Sequence, residues 1–435
     1  MLKLEKLMRK PADLRKKYPK FVYEDFDFRL KGNDLFISFR FSAKPDIFFN
    51  PSIKIKNLSE TAKKKTKTQT FKNLIFNLGM VEIYSYWKAV CSPKILIKAG
   101  FLSKKQIGFW HNLLIKGMAQ FFYSNKIDFR PQNFVKYKIG SSKKFKKEKI
   151  IATKKKILVP IAGGKDSIVT LELLKPEFDV SCFCLNPIKS SLQVIKTAGI
   201  KNPIIVERKI EQKLLDLNKQ GYLNGHTPFS AYLHFLSLLL AYLFDFEYVA
   251  FSNEKSADEE NIIYLGKKIN HQYSKSSDFE EKFRNYYKEF ILSGIEIFSF
   301  LRHLSELEIS YIFSGFKKYF PVFLSCNKPF TIAARKSNSK AGWCGQCPKC
   351  FSSFTALYPF LEKDEILKIF GKNLFENKKL LPIMKSFLDE KKPKPFECVL
   401  TRDELKTALS GSLIKEKNKR LPYLLKYYAN LTAKK

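Results

Sequence analysis

The feature that most constrains this chain is a six-residue string lying between two kinds of periodicity. Residues 157–161 form a short apolar run, Ala162-Gly163-Gly164-Lys165-Asp166-Ser167 follows, and Ile168, Leu171 and Leu174 then mark one face of a helix. An apolar run too short for a helix, a glycine pair and an immediate switch to the 3.6-residue period predict a strand, a tight loop and a helix. The texture recurs downstream, where residues 180–185, 204–206 and 248–251 read as strands separated by helical stretches. That is the pattern of a βαβ series around a parallel sheet. A glycine loop joining strand to helix is also a phosphate cradle. Gly163 and Gly164 let the backbone approach a polyphosphate, and the unpaired N–H groups of the first helical turn point at it. Lys165 adds a positive charge, Ser167 a hydroxyl, and Asp166 a carboxylate suited to Mg²⁺. The spacing is neither that of the common P-loop nor that of the dinucleotide fingerprint.

A chain of 435 residues, 45% of them hydrophobic, can bury a large core and is not a disordered tail. Its 79 Lys and Arg against 41 Asp and Glu give a formal charge of +38, which attracts acidic partners. Arg occurs only 11 times, however, and the Lys are dispersed among Ile, Phe and Asn, as AT-rich codon usage produces. Readers of nucleic acid cluster Arg with aromatics, so nucleic acid is not the expected partner. Residues 1–10 alternate Leu with Lys and lack the apolar core and cleavage site of an export signal. The longest apolar run, 231–244, contains His234 and falls short of the about 20 residues a membrane span needs. A buried helix is expected there, without membrane insertion. Eight Cys, three of them within 344–350, suit a reducing cytoplasm better than a disulfide framework.

Residues 21–30 and 35–41 alternate apolar with polar around Lys31-Gly32-Asn33-Asp34, which predicts an antiparallel hairpin, and residues 53–55 continue that period. Two amphipathic helices are expected next, through Leu74, Leu78, Val81 and Trp87, and through Ile107, Trp110, Leu114 and Phe121. The Lys-rich run 141–156 has no apolar period and reads as a linker. The division expected is an N-terminal α+β accessory domain over 1–140, the linker, an α/β core over 157–325, and a helical Cys-containing region over 326–435 ending in Lys434-Lys435.

The glycine loop resembles the Ser-Gly-Gly-x-Asp-Ser loop of the PP-loop ATP pyrophosphatases, with Ala162 where that pattern has its first Ser. Further strings accumulate in order: Asn224-Gly225-His226, Ser252-Asn253-Glu254-Lys255-Ser256-Ala257, Asn270-His271-Gln272-Tyr273-Ser274-Lys275-Ser276, Ser325-Cys326-Asn327, Trp343-Cys344-Gly345-Gln346-Cys347-Pro348-Lys349-Cys350 and Lys394-Pro395-Phe396-Glu397-Cys398. Together they resemble the UDP-N-acetylmuramoyl-L-alanyl-L-glutamate epimerases of peptidoglycan synthesis over about 84–409. The resemblance implies a doubly wound parallel-sheet PP-loop core and a cytoplasmic isomerase. It also implies ATP and Mg²⁺ as cofactors and a UDP-linked muramoyl dipeptide as substrate, the terminal L-Glu becoming D-Glu through a carboxyl adenylate.

Gly163, Gly164, Lys165, Asp166 and Ser167 are the expected nucleotide contacts. His226 and His271, in polar loops after the βα units, are the first candidates for proton transfer, whereas His111, His234 and His303 lie on helical patterns and read as structural. Asn253 and Glu254 close the last strand as candidate substrate contacts, and Lys255 and Lys275 are candidates for the diphosphate. Asp258, Glu259 and Glu260 read as a solvated first helical turn. Cys344, Cys347 and Cys350 are spaced as Cys-x-x-Cys-x-x-Cys, so that three thiolates can converge on one ion with Cys326 as the candidate fourth ligand; a structural Zn²⁺ is the first reading, an iron–sulfur cluster stays open, and Cys326 is also the thiol to test for proton transfer. Cys91, Cys182 and Cys184 read as core, and Cys398 is left unassigned. Two other classes stay open at this point: a PP-loop enzyme modifying RNA or a deazaguanine base, and a non-catalytic nucleotide-binding protein.

Overall fold

The computed structural model describes residues 8–150, 155–331, 342–389, 394–417 and 419–433. Much of the N-terminal Leu and Lys alternation, part of the basic run and Lys434-Lys435 lie outside them. The strands are β1 (Lys20–Lys31), β2 (Asp34–Lys44), β3 (Ile47–Phe49), β4 (Ser52–Ile55), β5 (Lys94–Ile97), β6 (Lys136–Ile139), β7 (Glu148–Lys149), β8 (Lys156–Pro160), β9 (Asp179–Leu185), β10 (Ile204–Lys209), β11 (Tyr248–Phe251), β12 (Ile262–Tyr264), β13 (Lys267–Ile269), β14 (Leu292–Ser293) and β15 (Glu296–Ser299). They belong to a mixed α/β architecture of two compact units that interleave along the chain. One gathers Met1–Leu158, Ile204–Val249 and Ile263–Phe298, the other Val159–Pro203, Ala250–Ile262 and Ser299–Lys435. This division by packing differs from the consecutive one drawn from composition.

In the first unit β1 and β2 form the expected hairpin. Lys31 faces Asp34 across a two-residue turn in which Gly32 takes φ +60°, a conformation that favours glycine. β2 pairs antiparallel with β4, and β1 pairs parallel with β5, which pairs parallel with β6. Residues 204–206 begin the expected strand, β10, which on one side runs antiparallel to β4, with Val206 opposite Ile55 and Lys209 opposite Ser52. The alternation of a strand fixes which face is buried and leaves its neighbour open, so an antiparallel partner brought from the N-terminus satisfies it equally.

The helix Gln69–Trp87 starts where the Thr68 side chain accepts the Phe71 N–H and is buried nearly all round, as a helix apolar on every side must be. The helix Phe229–Phe244, the expected buried one, packs against it. Among the described residues no helix is long and apolar enough to cross a membrane. The described part of the basic run is packed rather than an open tether. Phe145 lies 4.9 Å from Phe76 between ring centroids, the Thr70 hydroxyl donates to Glu148, and β7 pairs parallel with β14.

One ion pair is sealed inside this unit. Arg208 on β10 donates from Nη2 to Glu82 Oε1 at 2.7 Å and to Ser85 Oγ at 2.9 Å, and stands over the Tyr232 ring at 4.8 Å. Glu82 is 1% exposed; burial raises its carboxyl pKa, and Arg208 only partly opposes the rise.

The second unit holds the carboxyl ends of β9, β8, β11 and β15, in that order across the sheet. Ile161 N–H donates to Phe183 O, and Phe300 N–H to Phe251 O. From Glu306 onward the described elements are helical, Glu306–Ser314, Pro348–Leu357, Lys363–Phe370, Leu381–Leu388, Arg402–Lys415 and Tyr423–Thr432 among them, as the sequence periodicity implies.

Removing one member of a buried pair strands the other charge. Glu82→Ala is expected to lower the unfolding free energy by about 3–5 kcal/mol in denaturant titrations. The double variant Glu82→Gln/Arg208→Met is expected to regain most of that loss.

Candidate active site and thiol cluster

The glycine loop lies in the second unit and is built as the sequence implies. Gly163 takes φ +100°, and a Cβ there would stand 3.2 Å from the Ser191 backbone, so only glycine fits. Gly164 is the N-cap of the helix Lys165–Leu174, whose first N–H groups open onto the loop. The Ser191 hydroxyl donates to Ala162 O at 2.7 Å, and the Ser167 hydroxyl turns back to Gly164 O at 2.9 Å.

Lys165 is 2% exposed, with its Nζ 2.5 Å from Asp166 Oδ1 and 2.9 Å from Glu306 Oε1. Burial opposes the ammonium, but Asp166, Glu306 and Glu254 outweigh it and hold its pKa above the ordinary value. Glu254, also buried, is pushed well above the carboxylate range by burial and then by the charges of Glu306 and Asp166. Its Oε1 accepts from Ser256 Oγ at 2.6 Å, while Oε2 has no hydrogen-bond partner among the described residues. Arg302 donates from Nη1 to Glu254 O at 3.1 Å and from Nη2 to Ser299 Oγ at 3.2 Å, and Asn253 Nδ2 donates to the same Ser299 hydroxyl at 3.0 Å. Lys255 is exposed, its backbone N–H bonded to Leu304 O.

Glu306 and Arg302 were not among the residues singled out from the sequence. Glu306 opens the capping box of Ser305 and Glu308, where a carboxylate already has a helical reason to stand.

The histidine candidates His226 and His271, and Lys275, belong to the first unit. His226 and His271 come together, with ring centroids 6.2 Å apart. Lys88, at the end of the helix Gln69–Trp87, donates from Nζ to Gly225 O at 2.9 Å, and burial followed by the charge of Arg208 pushes it down to about 8. Burial, then His271, Lys88 and Lys275, push the His226 imidazole down to about 3. A neutral imidazole accepts a proton, so at neutral pH His226 has the protonation state of a base. His234 behaves as a core histidine, its Nδ1 2.7 Å from Ser230 O and its ring against Phe279 and Phe283.

Cys326, Cys344, Cys347 and Cys350 bring their four Sγ atoms within 4.8 Å of one another in the second unit. Cys347 caps the helix Pro348–Leu357, accepting the Cys350 N–H at 3.4 Å, and Gly345 turns the loop at φ +63°. Cys344 and Cys350 sulfurs lie 3.6 Å apart, close to the about 3.8 Å that two ligands of a tetrahedral Zn²⁺ show. Contacts from the Cys347 and Cys350 thiols lower the Cys326 pKa. The chemistry and spacing of these donors fit a structural metal ion. Cys91, Cys182 and Cys184 are buried, as expected, and Cys398 stays outside the cluster.

The MurL N-terminal domain model matches residues 12–300, and the MurL C-terminal domain model matches residues 322–434. The chain belongs to the MurL family. A UDP-N-acetyl-alpha-D-muramoyl-L-alanyl-L-glutamate epimerase of Micromonospora sp. is 32% identical over 77% of this chain and 73% of its own length. Proteins of the same description from Xanthomonas oryzae pv. oryzae and Salinispora tropica are 30% and 31% identical, each over 77% of this chain and over 73% and 71% of their own lengths. Membership of the MurL family makes the chain an enzyme of the isomerase class.

A histidine whose folded pKa is depressed takes up its proton in the unfolded chain first, so stability falls as pH drops from about 6.5 toward about 3. His226→Gln is expected to flatten that slope in denaturant titrations across pH 4–7, roughly the window set by the unfolded value. An unchanged slope would place the titration elsewhere.

Proposed function

We propose that the chain epimerises the terminal L-Glu of UDP-N-acetylmuramoyl-L-alanyl-L-glutamate to D-Glu in the cytoplasm, at the expense of ATP. The observation that carries this reading is the union of MurL family membership with a glycine loop whose buried lysine and three carboxylates sit at a strand end. The strand, loop and helix would then be a PP-loop core.

The physical logic begins with the proton at Cα. Removing it beside a free carboxylate produces a dianion, whereas an acyl adenylate has lost that charge and its enolate spreads the new one. In the proposed sequence a substrate carboxylate oxygen attacks the α-phosphorus and pyrophosphate leaves. A base then takes the Cα proton, a proton returns on the opposite face, and water hydrolyses the adenylate to AMP and the D-glutamyl product.

Each role rests on the chemistry of the residue. Gly163, Gly164 and the first N–H groups of the helix bind phosphate oxygens, and Lys165 neutralises charge beside them. Asp166, Glu254 and Glu306 offer hard oxygen ligands, one of them the orphaned Glu254 Oε2, and so fit Mg²⁺. When bound, the ion would draw electron density from the phosphates. His226 and His271 are the acid and base of the reading, Lys275 a contact for substrate phosphate, and Asn253 and Lys255 further substrate contacts. Cys326 is assigned to the thiol cluster and not to proton transfer, because a metal-bound thiolate is no longer a free base.

With the L,L-substrate, ATP and Mg²⁺, chiral analysis should show D-Glu, and AMP and pyrophosphate should appear with it. Lys165→Ala is expected to lower turnover about 10²–10³-fold, the loss typical of one transition-state donor, with the fold checked by circular dichroism. Release of ADP, or D-Glu formed without ATP, would overturn the reading.

A further inference from the structure

The thiol cluster and the glycine loop are joined by a single short stretch of chain. Leu324 donates its backbone N–H to Gly163 O at 2.9 Å, and a Cβ on Gly164 would stand 3.0 Å from Ser325 Oγ. Cys326, buried within the cluster, is the next residue. Leu324 of this stretch also lines a cleft of about 460 Å³, together with Ser190 and Gln193 on the helix Lys189–Thr197 and with Gly342 and Trp343. Trp343 packs edge-on against Phe323 at 5.3 Å and against Phe370 at 4.5 Å. Two lining residues thus lead directly into the cluster, Leu324 two residues before Cys326 and Trp343 directly before Cys344.

We propose that a zinc ion held by Cys326, Cys344, Cys347 and Cys350 fixes the glycine loop and this cleft in their nucleotide-binding shape, so that metal occupancy controls ATP affinity. Four sulfurs bound to one ion are held at set separations, whereas four metal-free thiols share only weak S–H contacts. Fixing Cys326 holds Leu324 and Ser325, and these two residues meet the glycines that approach the phosphates. Cys326 is in this sense a positioning residue, acting through the metal and the backbone. The inference rests on the reading of the loop as a nucleotide site.

The test uses the full chain and the three tryptophans as reporters. Trp87 and Trp110 are fully buried in the first unit, so Trp343 at the cleft is the one placed to respond to nucleotide. Zinc content is measured first, then MgATP affinity by fluorescence titration, with Trp343→Phe to verify the reporter. A zinc-loaded chain should carry one ion, and Co²⁺ in its place should show thiolate charge-transfer absorption. Removing zinc with a chelator, or making Cys326→Ser, should weaken MgATP binding at least about tenfold, and returning Zn²⁺ to the chelated wild type should restore it. Chelation of the wild type keeps the test decisive if Cys326→Ser fails to fold. Two results would overturn the proposal: no zinc bound, or MgATP affinity unchanged in folded, zinc-free protein. A zinc-loaded chain that binds no MgATP would instead overturn the nucleotide reading of the loop, and the inference with it.

Discussion

An ammonium group buried to 2% exposure is stable only where opposite charge is fixed around it, and Lys165 is the point at which this protein arranges that. Its partners come from separate parts of the second unit: Asp166 from its own helix, Glu306 from the start of another, and Glu254 from the end of β11. Burial, and then the neighbouring charges of Glu306 and Asp166, hold Glu254 above the carboxylate range. Lysine and carboxylates thus stabilise each other at the mouth of the glycine loop, and the proposed ATP and Mg²⁺ would bring more charge of both signs. A site with alternating charges already in place needs little rearrangement when those ligands enter.

The first unit supplies a different environment. Its sealed pair, Glu82 and Arg208, ties the helix Gln69–Trp87 to β10, and the end of that helix presents Lys88 to the carbonyl of Gly225 beside His226. Burial first, then His271 and the cations Lys88 and Lys275, keep His226 unprotonated. The two units separate the chemistry by charge, with carboxylates and lysine at the loop and with imidazoles and lysines at the histidine pair.

Much of this was legible in the sequence, for physical reasons that differ by element. The hairpin was readable because Gly32-Asn33 stands between two clean alternations. The glycine loop could be read because apolar run, glycine pair and helical period occur together nowhere else with that spacing. The convergence of Cys344, Cys347 and Cys350 was readable from their close spacing, whereas Cys326 is brought to them from well upstream by the fold. Pairing was not legible in the same way: β10 joins β4 antiparallel, a partnership set by packing between distant segments. Nor was the anchoring of the basic run, because Phe145 and Glu148 are two residues among many lysines and no period marks them. Glu306 was hidden by its second role at a helix start.

The central claim is that activation of the glutamyl carboxylate is what makes its Cα proton removable. The direct measurement is deuterium incorporation at that carbon, followed by mass spectrometry in D₂O with UDP-N-acetylmuramoyl-L-alanyl-L-glutamate, with and without ATP. Deuterium appearing at Cα only when ATP and Mg²⁺ are present, in step with pyrophosphate release, is the result expected. Deuterium exchange at the same rate without ATP would contradict it.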